Sequence, residues 1–127
     1  MPSGRPHTPI RIGVVGAGAN TRTKHLPGLQ RISGVEVVVV CNRSEASSQA
    51  VARQFHIPRI AAHWEEVVSA PDVDAVVIGT WPSLHAEVTI AALAHQKHVL
   101  CEARMATTLA EAQRMHQASL QPQRASP

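Results

Sequence analysis

The chain has 127 residues, which suits one domain with a hydrophobic core. It is 44% hydrophobic and 17% charged, which excludes wholesale disorder, and no apolar run approaches the length of a membrane span. Its net charge of +3 is spread over scattered Lys and Arg without interleaved aromatics, which argues against a nucleic-acid partner and suits an anionic small ligand.

Residues 1–9 are polar and Pro-rich and read as a disordered lead without the apolar stretch of a signal peptide. Aromatic content is 2% with no Tyr, so the core of residues 10–120 must be built from Val, Ile, Leu and Ala. Strands buried on both faces of a parallel sheet use those residues. In chain order, strands are expected at Ile10–Val15, Val35–Cys41, Arg59–Ala61, Ala75–Ile78 and His98–Cys101. Helices are expected near Lys24–Ile32, Glu45–Phe55, Trp64–Ser69, Leu84–His95 and Leu109–Leu120. Ser44 is a candidate N-cap, Thr108 with Glu111 a capping box, Gly34 a left-handed stop, and Pro82 a first-turn proline. Residues 121–127 read as a disordered tail.

Strand–helix alternation with short loops gives an α/β, Rossmann-type doubly wound parallel sheet in the order 3-2-1-4-5. In that order Cys41 and Cys101 end strands two and five. Three strand spacings set them roughly 14 Å apart, beyond a disulfide's reach of about 7 Å between Cα atoms, so two free thiols are expected, as in a reduced compartment such as the cytoplasm.

The segment Gly13-Val14-Val15-Gly16-Ala17-Gly18-Ala19-Asn20-Thr21 follows a strand and opens a helix. Gly16 permits a tight turn, Gly18 lets backbone approach a pyrophosphate, and helix-start N–H groups from Ala19, Asn20 and Thr21 hold phosphate oxygens. The third glycine of the dinucleotide fingerprint falls at Thr21, whose hydroxyl is a candidate phosphate contact. The end of strand two carries Asn42, Arg43 and Ser44, where an NAD site wants a carboxylate for the ribose diol. A neutral Asn42 beside Arg43 favours a 2′-phosphate, so NADP is expected in preference to NAD. Ligands of open α/β sheets sit beyond the carboxyl ends of the strands, which makes Thr80, Trp81, His85 and Glu102 further candidate contacts. The eight histidines show no metal-ligand spacing, and no metal site is expected.

Five segments, in this order, carry a family resemblance: Val15-Gly16-Ala17-Gly18, His25-Leu26-Pro27, Pro71-Asp72-Val73-Asp74-Ala75-Val76-Val77-Ile78, Leu84-His85-Ala86 and Lys97-His98-Val99-Leu100-Cys101-Glu102. With them, the stretch from Ile12 to Leu120 resembles the N-terminal domain of the glucose–fructose oxidoreductase/inositol dehydrogenase (Gfo/Idh/MocA) family. The resemblance implies NAD(P)-dependent hydride transfer on sugars, cyclitols or related polyols, with a C-terminal substrate domain that this chain lacks. A truncated or partial chain is therefore expected. The family reads Glu-Lys-Pro after strand five, with the Lys beside the nicotinamide. Here Glu102 matches, Ala103 takes the Lys position and Arg104 the Pro position, so the Lys role is lost at 103.

Two readings stand. The chain is the cofactor domain of an oxidoreductase, or it is a non-catalytic dinucleotide-binding module that senses redox state or works with a partner chain or as a homo-oligomer. An S-adenosylmethionine site would favour an acidic residue where Asn42 and Arg43 stand. Whether the chain is an enzyme by itself stays open at this point.

Overall fold

A computed structural model describes residues 9–80, 82–101 and 108–120. Five strands, β1 (Ile10–Val15), β2 (Val35–Cys41), β3 (Arg59–Ile60), β4 (Ala75–Ile78) and β5 (His98–Cys101), form one parallel sheet in the order β3-β2-β1-β4-β5. The helices are α1 (Leu26–Gln30), α2 (Glu45–Phe55), α3 (Trp64–Val68), α4 (Pro82–Ala94) and α5 (Leu109–Ser119). Among the described residues no helix is long and apolar enough to cross a membrane.

The interior strands β1, β2 and β4 are buried on both faces, as their valine-rich sequences require, whereas the edge strand β5 leaves His98 and Leu100 exposed. On one face Val15, Val39, Val76 and Ile78 pack with Val67, Val68, Val88 and Ala92. On the other, Ile12, Val14, Val37, Val40 and Val77 pack with Leu26, Val51 and Phe55. Each fully buried aliphatic side chain contributes on the order of 1.5–3 kcal/mol, so these valines carry the core that the few aromatics cannot. The run Val37–Val40 does not alternate strictly. The register between β1 and β2 shifts after Ile12, which pairs with Val37, whereas Gly13 pairs with Val39. Val38 is the extra residue of this bulge, and Val38 and Val39 both pack on the first face.

The strands fall where the sequence puts them, except that β3 ends one residue early, at Ile60. Ala61 still donates its N–H to the Val40 carbonyl at 3.0 Å. The first helix differs more. The expected Lys24–Ile32 helix is instead a π-helical turn over Thr21–His25 followed by α1, which ends at Gln30. The Leu26 N–H reaches back five residues to the Thr21 carbonyl. Pro27 follows at once, and a proline ring crowds the carbonyl four residues before it, which a wider turn relieves. Gly34 adopts φ +86° in the turn into β2, beyond the helix's own cap at Arg31. Ser44 and Thr108 take the N-cap positions of α2 and α5. Ser44 and Ser47 make a reciprocal box, and Thr108 Oγ1 accepts from the Glu111 N–H at 3.1 Å. The left-handed stop of α2 is His56 at φ 57°.

The amino ends of the strands are tied by polar contacts. Arg11 Nε lies 3.3 Å from Asp74 Oδ2, joining β1 to β4, and Arg59 grips Asp72 with both terminal nitrogens at 2.7 and 3.0 Å. Cys41 and Cys101 end β2 and β5, with β1 and β4 between them, and both are free thiols.

Candidate dinucleotide site

The carboxyl ends of β1, β2 and β4 open onto a cavity of about 830 Å³, within the range of small-molecule sites. Its floor is the turn Val15-Gly16-Ala17-Gly18. One wall is Asn42, Arg43, Ser44 and Ser47, from the end of β2 and the start of α2. Another is Ala62, His63, Trp64 and Glu65, between β3 and α3. Gly79, Thr80 and Leu84 close the β4 side.

The turn is tight because two elements hold it. The Gly16 N–H donates to the Cys41 carbonyl at 2.8 Å, and the Gly79 N–H donates to the Val15 carbonyl at 2.8 Å. Gly16 sits at φ +82°, and a Cβ there would lie 2.5 Å from Thr80 Cγ2 and 2.7 Å from Thr80 N. Glycine is required on both counts. Gly18 is different: a Cβ there would meet only the Gly79 carbonyl oxygen, at 3.9 Å. Its surroundings are open space, as a cradle for a ligand must be.

The expected contacts divide by position. Gly16, Gly18, Asn42, Arg43, Ser44 and Thr80 line the cavity. Ala19 and Asn20 are exposed at the helix start next to it. Thr21 and His85 are not in the wall: Thr21 is 0% exposed and His85 1%. The His85 Nε2–H donates to the Thr80 carbonyl at 3.0 Å, so the ring supports the β4–α4 turn from behind. Trp81 and Glu102, with Ala103 and Arg104, lie outside the described residues. Asn42 faces the loop: its Oδ1 accepts from the Ala17 N–H at 3.1 Å. The Ser44 hydroxyl accepts from the Ser47 N–H at 3.1 Å and donates to Ser47 Oγ at 3.1 Å, while Ser47 Oγ donates to the Ser44 carbonyl at 3.0 Å.

Sequence reasoning missed Ala62, His63, Trp64 and Glu65. The signal was available: they follow a strand's carboxyl end, where α/β ligands sit. The Cys41 thiol also lines the cavity, and burial, followed by the charges of Glu66 and Glu65, pushes its pKa up. It is therefore protonated and a poor nucleophile at neutral pH. Among the described residues no three His, Cys, Asp or Glu side chains are grouped to hold a metal.

A parallel 3-2-1-4-5 sheet whose first turn is a glycine loop facing an open cavity defines a Rossmann-type dinucleotide-binding fold. The chain belongs to the Gfo/Idh/MocA oxidoreductase family, whose NAD-binding Rossmann-fold model matches residues 10–124. It is 40% identical over 105 residues to 1,5-anhydro-D-fructose reductase of Ensifer adhaerens, covering 83% of this chain and 31% of that protein. The structure of myo-inositol dehydrogenase from Lactobacillus casei, in complex with NAD(H) and myo-inositol, superposes with a TM-score of 0.84 at 29% identity, over 90% of this chain and 34% of the other. A 3-ketoreductase from Actinomadura kijaniata, in complex with NADP and TDP-benzene, gives 0.81 at 29% identity, over 87% and 34%. The chain thus spans about a third of the length of the proteins it matches.

Proposed function

We propose that the chain is the NAD(P)-holding part of an oxidoreductase that transfers hydride to or from a sugar, cyclitol or related polyol. The observation that carries the reading is the pairing of a crowded Gly16 with an open Gly18 at the floor of the cavity. The first glycine makes the turn, and the second leaves room for a pyrophosphate. The bound nicotinamide would supply the hydride chemistry; the protein's part is to hold and orient it. Thr80 and Leu84, beyond β4, border the cavity on the side where the nicotinamide half is expected.

The same reading favours NADP over NAD. The β2 wall includes Arg43, and a guanidinium pairs with a 2′-phosphate through two parallel donors. The Ser44 and Ser47 hydroxyls bond each other and backbone, and Arg43 brings the positive charge to this wall. Calorimetric titration with both cofactors tests this. NADP is expected to bind at least about tenfold more tightly than NAD, and an Arg43→Ala variant to lose most of that difference. Tighter NAD binding would refute the preference. Binding of neither would refute the function. Substrate class is then read by following nicotinamide absorbance across a panel of polyols and sugar derivatives.

A further inference from the structure

Asn42 directly follows β2, where a dinucleotide's ribose is ordinarily read, yet its side chain is committed to the protein. Oδ1 accepts from the Ala17 N–H at 3.1 Å, and Nδ2 donates more weakly to the Ala17 carbonyl at 3.5 Å. The Asn42 N–H donates to Ser48 Oγ at 2.8 Å, and Ser48 is buried in the first turn of α2. One residue earlier in both segments, Gly16 is bonded to Cys41. Ala17, the middle residue of the glycine turn, is 2% exposed. Its peptide is therefore gripped on both sides by one carboxamide.

We propose that Asn42 is a positioning residue that holds the phosphate-binding turn against β2, and that it takes no part in choosing between the two dinucleotides. This inference rests on the dinucleotide reading above. The grip needs one acceptor and one donor, which a carboxamide has and a carboxylate lacks. In Asn42→Asp one oxygen still accepts from Ala17, but the other faces the Ala17 carbonyl, oxygen to oxygen. The variant loosens the turn and does not create a ribose-diol site.

Titration of wild type, Asn42→Asp, Asn42→Ala and Arg43→Ala with NADP and with NAD tests the proposal. Both Asn42 variants are expected to lose affinity for the two cofactors by a common factor of about tenfold, so that the NADP-to-NAD ratio moves by less than about threefold. Arg43→Ala is expected to move the ratio itself. A gain of NAD affinity in Asn42→Asp, with the ratio inverted, overturns the proposal. Amide exchange provides a readout without cofactor. The Ala17 N–H is expected to be protected in wild type and to lose that protection in Asn42→Ala, while Val14 and Val39 in the strands stay protected. Equal exchange at Ala17 in both proteins also overturns it. If Asn42→Ala loses strand protection as well, the two cofactor affinities of Asn42→Asp, which keeps the Ala17 N–H bond, carry the test in its place. A wild type that binds neither dinucleotide overturns the function proposed above, and the exchange experiment then still judges the grip.

Discussion

A Cβ on Gly16 would lie 2.5 Å from Thr80 Cγ2 and within 2.8 Å of the Thr80 backbone, so the turn after β1 and the end of β4 approach as closely as a glycine allows. The φ of +82° adds a second penalty for any other residue. Left-handed backbone costs about 1–2 kcal/mol for a residue with a Cβ, and overpacking against backbone about 1–3 kcal/mol more. Gly16→Ala is therefore expected to lower the unfolding free energy by about 2–5 kcal/mol, read from urea midpoints. A loss under about 0.5 kcal/mol would show that the turn relaxes at no cost, contrary to its two hydrogen bonds.

Gly18→Val separates the fold from the site. With only the Gly79 oxygen near, at 3.9 Å, the new Cβ meets no protein atom that must move. Stability is expected to change by less than about 1 kcal/mol, while affinity for either dinucleotide falls more than about tenfold because the methyl groups occupy the pyrophosphate's space. Unchanged affinity in a folded variant would place the phosphates elsewhere.

Gly13 plays a different part from the two turn glycines. It lies within β1 on the face that packs α3, where a Cβ would sit 2.5 Å from Val67 Cγ1 and 3.3 Å from both Val39 and Val73. The missing side chain is what lets α3 settle on the sheet. Gly13→Ala is expected to cost about 1–3 kcal/mol by overpacking. Combined with Val67→Ala, the two losses should fall short of their sum by at least about 0.5 kcal/mol, because the second change opens the space that the first needs. Strictly additive losses in the double-mutant cycle would rule out the contact as the cause.

The bounds of every strand but β3, the strand order and the N-caps of α2 and α5 were legible in the sequence because each rests on local chemistry: valine runs, Ser44, Thr108. The cavity floor was legible for the same reason. What the sequence withheld is the direction in which a side chain faces. His85 was placed at the cofactor edge, yet it shares the buried face of α4 with Val88, Thr89 and Ala92, while apolar residues stand on the other sides of the helix as well. A helix packed against α3, α5, β4 and β5 shows no single apolar stripe from which to tell front from back. Asn42 lines the cavity as its place after β2 suggests, and its bond to Ala17, which spans 25 residues, leaves no trace in local pattern. The π turn at Thr21–His25 was hidden because it depends on how a backbone accommodates Pro27, not on periodicity.

The two carboxylates at the amino edge give the protein an acid limb of known sign. Burial acts to raise Asp74, but hydrogen bonds and charge from Arg11 outweigh it and hold the carboxyl below the ordinary range. The hydrogen bond from Arg59 lowers Asp72 in the same way. With folded values below unfolded ones, the unfolded chain binds more protons, and stability rises with pH across this window. The contribution is complete above the unfolded carboxylate pKa of about 3.9 and fades as pH falls through the folded values. The double variant Asp72→Asn/Asp74→Asn should show a flatter loss of urea midpoint between about pH 5 and 3 than wild type. Salt should shrink the difference, since both pairs are part-exposed. An identical acid slope in the two proteins would assign the limb to other groups.

Lys97 offers the complementary case, a buried cation with no part in the cavity. It is 8% exposed, and its Nζ donates to the Ala70 carbonyl at 2.6 Å and the Val73 carbonyl at 2.7 Å. Those carbonyls belong to the loop between α3 and β4, so the ammonium fastens that loop to the residue before β5. Lys97→Met keeps most of the stem's volume but takes the ammonium donor from both carbonyls, leaving that of Ala70 with the Val73 N–H at 3.2 Å, at a cost of about 1–3 kcal/mol. The site lies at the opposite, carboxyl end of the strands, so cofactor affinity in the folded variant is expected to match wild type within about twofold. Paired urea melts and titrations read both quantities. A variant that binds dinucleotide weakly at full stability would mean that this loop couples to the cavity after all.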